Sequence, residues 1–99
     1  MKDEFVKDIG IWGQRHYNYL KKNSPTVINV MHMKGTLKQY LTDLDRDAQE
    51  MFDMLMKQLA ESEGITEQLK AESQKEWARQ MNSVRNRAAE VVNKELIYA

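Results

Sequence analysis

The most constraining feature of the sequence is a line of apolar residues that recurs at alternating steps of three and four after residue 36. At 3.6 residues per turn, this spacing places the apolar side chains on one face of a long helix. An apolar face needs a second apolar face to cover it, so the pattern predicts an antiparallel pair of helices. The recurring residues are Leu37, Leu41, Leu44, Ala48, Met51, Leu55 and Leu59.

The second helix of the pair is predicted to follow a glycine turn. Gly64 suits the position just past a helix end, and Thr66 can cap the helix that follows. The two long helices therefore span about residues 37–62 and 67–96. If they pair directly across the turn, Phe52 lies near Trp77. The apolar residues of the second helix are Leu69, Trp77, Met81, Val84, Ala88, Val91 and Leu96.

Two shorter helices are predicted ahead of this hairpin, over about residues 14–22 and 25–33. Ser24-Pro25 reads as a capping hydroxyl followed by proline at the first helical position. Gly35 ends the second short helix, and Thr36-Leu-Lys-Gln39 has the form of a capping box that opens the first long helix.

The predicted fold class is therefore all-α, with two short N-terminal helices packed on a long antiparallel helical hairpin. The chain has 99 residues, of which 41% are apolar, enough for one small domain. We expect a polar, flexible N-terminus over residues 1–8 and a single helical domain over residues 9–99. The absence of cysteine excludes disulfides. No apolar run approaches the roughly 20 residues that span a bilayer, and the start lacks a signal peptide, so we expect a cytoplasmic protein without a membrane partner.

Charge is segregated along the chain, although the formal net charge is zero. From Ile9 to Thr42 there are five basic residues, two histidines and no acid. From Asp43 to Glu76 ten acids face four bases, and beyond that point four bases face two acids. Such segments can steer different partners, or they can attract each other in a homodimer.

Acidic residues of the first long helix share one helical face. Asp43, Asp47 and Glu50 lie on it, and Asp53 lies close by. Such a face is ordinarily solvated. The alternative is a phosphate-mimicking stripe that occupies a basic nucleic-acid channel in a partner protein.

The same stretch is also more apolar than one buried face requires. Met51, Met54 and Met56 are adaptable side chains of the kind found at binding surfaces. We expect part of this surface to remain exposed in a monomer. It then either binds a partner or is buried between two hairpins in a homodimer.

No constellation of residues for catalysis is present. The chain has no nucleophile-elbow serine, glycine-rich phosphate loop or His-Glu-x-x-His motif. His16 and His32 have no helical spacing to each other and are expected at the surface or in an interface. Asp43-Leu-Asp45-Arg-Asp47 begins like a calcium loop, but Ala48 occupies the sixth position, where glycine is required. We therefore expect no enzyme activity, no catalytic residue, no metal and no cofactor.

A second set of candidates would contact nucleic acid directly. Arginine and asparagine read base edges and phosphates. The zero net charge and the acidic segment weaken this alternative. Its candidate residues are Arg15, Lys21, Lys22, Arg79, Asn82, Arg85, Asn86 and Arg87.

A series of short sequence blocks over about residues 9–98 carries a family resemblance. The blocks are Ile9-Gly10, Gly13-Gln-Arg15, Tyr19-Leu-Lys-Lys22, Gly35-Thr-Leu37, Tyr40-Leu41, Ala48-Gln-Glu-Met51, Gly64-Ile-Thr-Glu-Gln-Leu-Lys-Ala71, Trp77, Met81-Asn82, Arg85-Asn-Arg-Ala88 and Glu95-Leu-Ile-Tyr98. In this order they resemble the TnpV family of transposon-encoded proteins. Family members usually carry an N-terminal extension with a Tyr- and Gly-rich segment and a Pro-Asp-Leu motif, and here only eight residues, most of them polar, precede the first block.

The resemblance implies a bacterial mobile genetic element and the company of recombinases, but no established activity. We therefore expect a non-enzymatic accessory or regulatory protein that binds a nucleic-acid-handling protein. That protein is either the element's recombinase or a host defence nuclease, and in the second case the chain is an anti-CRISPR-like inhibitor. The alternative is a direct DNA-binding accessory factor of transposition.

Overall fold

The computed structural model describes residues 4–99 of the chain, and in this range it consists of helices joined by short turns. A 3-10 helix at Glu4–Asp8 comes first and a π-helical turn at Asn93–Ile97 comes last. Between them lie α1 (Ile11–Asn23), α2 (Pro25–Lys34), α3 (Leu37–Ser62), α4 (Glu67–Glu72) and α5 (Gln74–Val92). The predicted all-α class, with two short N-terminal helices packed on a long hairpin, is confirmed.

Helix α3 is the central element of an elongated molecule that measures 55 × 22 × 18 Å. Helices α1 and α5 both pack against α3, and α2 packs against α1 and the start of α3. The predicted apolar seam faces this core, since Leu41 and Ala48 are fully buried. One cluster surrounds Leu41, and a second surrounds Ala48. The first comprises Ile9, Tyr17, Ile28, Leu37 and Leu41, and the second Trp12, Ala48, Val92 and Ile97.

Two helices end at glycines with positive φ. Gly35 has φ 71° and Gly64 has φ 69°, a conformation that other residues rarely adopt. At the end of α3 the N–H of Ile65 donates to the Ala60 carbonyl, and that of Gly64 donates to the Glu61 carbonyl. This is the Schellman arrangement, and Ile65 is buried as its hydrophobic contact.

Two predicted helix caps are not formed. Ser24 precedes Pro25 at the start of α2, but its side chain makes no cap hydrogen bond. Thr36 likewise makes none, and its hydroxyl instead lies 3.4 Å from the Met31 carbonyl oxygen. Only two residues separate α2 from α3, and the Thr36 N–H already closes the end of α2 by donating to Met31. Thr36 therefore stays in a helical conformation that does not suit an N-cap.

The second long helix, predicted over residues 67–96, is divided at Ser73. Ser73 has an extended backbone, and its hydroxyl accepts a hydrogen bond from the Glu76 N–H at 3.3 Å. Ser73-Gln-Lys-Glu76 thus starts a new helix with the sequence of a capping box. The predicted cap at Thr66 is present, since its hydroxyl accepts from the Leu69 N–H at 3.2 Å.

This division changes which side chains meet. The aromatic partner of Phe52 is Trp12 of α1, with ring centroids 5.4 Å apart, and not Trp77 as the direct pairing predicts. Trp77 instead lies beneath the Lys70 ammonium of α4, 4.7 Å from the ring centroid. Helix α4 packs mainly against α5, so these two helices form a short hairpin of their own.

A short 3-10 helix lies within the segment 1–8 that the sequence predicts to be polar and flexible. Residues 4–8 form the 3-10 helix, and Val6 packs against the first core cluster. The remainder of that prediction concerns residues 1–3, which lie outside the described residues. In the described part of the chain, no helix combines the length and the apolar character needed to cross a membrane.

Candidate partner-binding surface

The acidic residues of α3 separate into one that faces α1 and others that face solvent. Asp45 faces α1, where its carboxylate accepts a hydrogen bond from the Gly13 N–H at 3.0 Å. Gly10 occupies the N-cap position of α1 and offers no side chain for capping. Asp45 therefore caps α1 from a neighbouring helix, and α1 begins at Ile11 instead of near residue 14 as predicted.

This cap depends on a close approach of α1 to α3. A Cβ atom added to Gly10 would lie 2.6 Å from both Asp45 carboxylate oxygens. One added to Gly13 would lie 2.3 Å from Cγ2 of Ile9 and 3.0 Å from the Leu41 carbonyl oxygen. The two glycines of the first sequence blocks are thus explained by packing.

Four acidic residues form what we call the acidic outer face of α3: Asp43, Asp47, Glu50 and Asp53. At about 100° per residue, Glu50 points opposite to Leu41 in the core, and Asp47 points about 120° away from Leu41. Asp47, Glu50 and Asp53 are exposed, and Asp43 is half-buried. The four carboxylates span ten residue steps, or about 15 Å along the helix.

Arg46 partly neutralises one end of the acidic outer face. Its guanidinium lies 3.4 Å from both the Asp43 and the Asp47 carboxylates, and all three side chains are solvent-accessible. Exposed ion pairs of this length contribute little to stability. Asp53 accepts a hydrogen bond from Gln49, whereas no hydrogen bond or ion pair of Glu50 is found in the described part of the chain. The other end of the face is therefore the more negative.

The predicted methionine patch is largely not at the surface. Met51 packs against the second core cluster, and Met56 is half-buried. Met54 is 51% exposed. It follows Glu50 by four residues, which places it on the acidic outer face. Of the three methionines, Met54 is thus the exposed one.

Three arginines of the nucleic-acid set are engaged within the molecule. The Arg15 guanidinium lies 5.0 Å from the Trp12 ring centroid. Arg79 forms a two-pronged ion pair with Glu76. This pair, together with the amide of Gln80, lowers the pKa of Glu76 to about 2.

Arg87 also forms a two-pronged ion pair, with Glu63 at the end of α3. The hydrogen bonds from Arg87 lower the pKa of the Glu63 carboxyl. The Arg87 guanidinium also donates a hydrogen bond to the Ser83 carbonyl. These contacts attach α5 to the end of α3 and occupy the donors that a phosphate would require.

The basic candidates do not form one continuous patch. Arg15 lies 3.5 Å from the Asn93 side-chain oxygen. Arg79 precedes Asn93 by about 21 Å of helix, and Lys22 follows Arg15 by about 10 Å. Because α1 and α5 both run antiparallel to α3, these distances add to about 30 Å along the molecule. The exposed members of the set are Lys21, Lys22, Arg79, Asn82, Arg85 and Asn86.

His16 is buried, contrary to the surface position expected for it. Its Nδ1 lies 2.8 Å from the Ile97 carbonyl oxygen, and its Nε2 lies 2.7 Å from the Tyr40 hydroxyl. A carbonyl only accepts, so Nδ1 donates, and in the neutral ring Nε2 accepts from Tyr40. Burial raises the pKa of Tyr40, which opposes activation of its hydroxyl as a nucleophile. The hydrogen bonds of His16 to Tyr40 and Ile97 join α1, α3 and the π-helical turn, and they do not indicate a reactive centre.

Metal ligation finds no support in this arrangement. Among the described residues, no three His, Cys, Asp or Glu side chains are placed to hold a metal ion together. Asp43, Asp45 and Asp47 lie on a continuous helix, and Asp45 faces α1 whereas Asp43 and Asp47 lie on the acidic outer face.

These features define a class: a small all-α protein with a charged outer helix face opposite its core. The chain belongs to the TnpV family, since the model of transposon-encoded protein TnpV matches residues 1–97. The resemblance that the sequence blocks indicate is thereby confirmed. The family is a transposon accessory family and not a known enzyme family. Searches of curated proteins and of solved structures found no match.

Proposed function

We propose that the chain is a non-enzymatic accessory or regulatory protein of a bacterial mobile genetic element that binds a nucleic-acid-handling protein. The target is the element's recombinase or a host defence nuclease, and in the second case the chain acts as an anti-CRISPR-like inhibitor. Membership of a transposon-encoded family supports the setting. The acidic outer face of α3, turned away from the core, is the observation that carries the proposal.

The spacing of charge on this face suits a basic nucleic-acid channel. Four carboxylates over about 15 Å give one negative charge about every 5 Å. A single DNA strand carries one phosphate about every 3.4 Å. The helix holds these charges in fixed positions, so little conformational entropy is lost when a basic surface closes on them. Met54, on the same face, adds an apolar contact.

Arg46 tunes the strength of this interaction. It lies between Asp43 and Asp47, and a basic partner must compete with it for both carboxylates. Replacing Arg46 by Ala removes the competing cation and should therefore strengthen partner binding. The acidic replacements below should act in the opposite direction.

The test is affinity capture from a bacterial lysate, with mass spectrometry and with and without nuclease treatment. The double variant Asp47→Lys with Glu50→Lys should lose the captured partner, because charge reversal slows association with a basic surface. The matched control, Glu90→Lys with Glu95→Lys, changes the net charge equally at exposed positions near the other end of the second long helical segment. If both variants capture the same proteins as the wild type, the acidic outer face is not the binding surface.

Direct DNA binding is the competing function, and the same capture distinguishes it. Proteins that are lost after nuclease treatment were bridged by nucleic acid. A phosphate-binding surface also weakens steeply as salt rises. A gel-shift titration with duplex and single-stranded DNA at low salt should show no shift if the acidic outer face is the functional surface. A salt-sensitive shift that disappears in Arg85→Ala would favour the DNA-binding alternative.

A further inference from the structure

Helix α2 exposes an apolar surface that no other part of the described chain covers. Ile28 is its only buried residue, and Met33 is 86% exposed. Val27 and Val30 are exposed as well. The outer face of α2 is our name for the surface formed by Val27, Val30, Met33 and the exposed Lys34. An apolar surface of this kind on a small domain indicates an interaction site.

The surroundings of this face are positively charged. Lys22 at the end of α1 and Lys38 in the first turn of α3 flank α2, and both are exposed. In the described part of the chain, none of Lys22, Lys34 and Lys38 takes part in an ion pair. No acid occurs between Ile9 and Thr42 to neutralise them. An occupant of the outer face of α2 should therefore be both apolar and acidic.

The chain itself carries a surface with these two properties. The acidic outer face of α3 contains four carboxylates and the exposed Met54. The basic segment has five positive charges and no acid, and the acidic segment has ten acids against four bases, so the two nearly balance. With a net charge of zero, two copies do not repel each other at long range.

We propose that the outer face of α2 docks on the acidic outer face of α3 in a second copy of the chain. Ile28, which lies opposite the outer face of α2, packs with Leu41 in the first core cluster, so the two faces point to opposite sides of α3. The contact is therefore head-to-tail, and each copy can bind one further copy on either face. Lys34 and Lys38 then lie against Asp47 and Glu50, and Met33 packs near Met54. Such an assembly covers the surface that the proposed function assigns to the partner. In this respect the proposal rests on the proposed function, and self-association and partner binding exclude each other.

Sedimentation velocity over a range of protein concentrations and salt concentrations tests this self-association. The wild type should associate with rising concentration, and less so at high salt because the contacts include solvent-exposed charges. The basic-side variant, Lys34→Glu with Lys38→Glu, and the acidic-side variant, Asp47→Lys with Glu50→Lys, should each weaken association at least about tenfold through like-charge contacts. Glu90→Lys with Glu95→Lys serves as the matched control and should associate like the wild type.

The decisive step mixes the two charge-reversed variants in equal amounts. In the mixture the reversed basic face of one variant meets the reversed acidic face of the other, and the two unchanged faces meet as in the wild type, so association should return. Met33→Ser, at a position that is 86% exposed, leaves the fold intact and should weaken association on its own. The proposal is overturned if the wild type stays monomeric. It is also overturned if the two variants are monomeric both separately and when mixed.

The two proposals fail separately. The basic-side variant leaves the acidic outer face unchanged, so it should lose self-association and capture more partner than the wild type does. Loss of self-association without any partner capture supports the proposed contact between copies and removes the proposed function. If the wild type captures a partner but is monomeric at every concentration, the proposed function is supported and self-association is ruled out.

Discussion

The cap that α3 provides for α1 leads to a quantitative prediction for Asp45→Ala. The substitution removes the acceptor of the Gly13 N–H, and loss of an N-cap side chain costs about 1 kcal/mol. It also removes a negative charge from the helix N-terminus, which adds about 0.3–1 kcal/mol. The unfolding free energy should therefore fall by about 1–2 kcal/mol. For a domain of this size, the thermal midpoint then drops by roughly 5–10 °C.

Asp47→Ala is the matched control for this measurement. Both aspartates lie inside α3, so both substitutions gain the same helix propensity, and the gain cancels in the comparison. Asp47 is exposed and contacts only Arg46, at 3.4 Å. Its replacement should change stability by less than about 0.5 kcal/mol. Thermal unfolding followed by far-ultraviolet circular dichroism measures both. Equal midpoints for the two variants would refute the capping role of Asp45.

Gly10→Ser should change the stability in opposite directions in the wild type and in Asp45→Ala. In the wild type, a Cβ at residue 10 meets the Asp45 carboxylate at 2.6 Å and displaces it, so the serine should destabilise. In Asp45→Ala the obstruction is gone, and Gly10 already has the extended backbone of an N-cap residue. A serine there can cap α1 itself and should recover about 0.5–1 kcal/mol. If Gly10→Ser has the same effect on stability in the wild type and in Asp45→Ala, the capping role of Asp45 is contradicted.

Further predictions concern the core, the helix break and pH. His16→Leu leaves the Ile97 carbonyl without its donor and should cost about 1–3 kcal/mol in urea unfolding. Ser73→Ala should cost about 1 kcal/mol more than Ser83→Ala, an exposed position inside α5 without a cap. The folded-state pKa of Glu76, about 2, lies below its ordinary value of 4.5. Its stabilising contribution is therefore present above pH 4.5 and is lost as pH falls towards 2, and Glu76→Gln should abolish that loss in acid unfolding curves.

Local patterns predict α3 well because its evidence is continuous. The apolar steps of three and four run without a gap to Leu59, and Gly64 marks the end, so the predicted span of 37–62 matches Leu37–Ser62. The next helix has no such continuity. Between Leu69 and Trp77 only Ala71 is apolar, so no burial holds a continuous helix together there. The capping signal at Ser73 decides the local structure, and the pairing of the hairpin changes with it.

The candidate surface was harder to predict, because the type of a residue does not show which way its side chain points from the helix. Asp45 resembles its acidic neighbours in composition, but it follows Leu41 by four residues and precedes Ala48 by three, which is the core side of the helix. The same counting separates Met51 from Met54. The burial of His16 leaves no local signal, since its partner Ile97 is 81 positions away in the sequence.

The short hairpin formed by α4 and α5 has a practical consequence for labelling. The alignment of α3 with α5 is held elsewhere, by the second core cluster and the ion pair between Glu63 and Arg87. Added length between Glu72 and Ser73 therefore disturbs neither, and doubling a connecting segment costs only about 0.6 kcal/mol. An inserted peptide at this point would give a fluorophore attachment site separate from both charged faces. Fluorescence could then report exchange between associated copies and partner binding in the same sample.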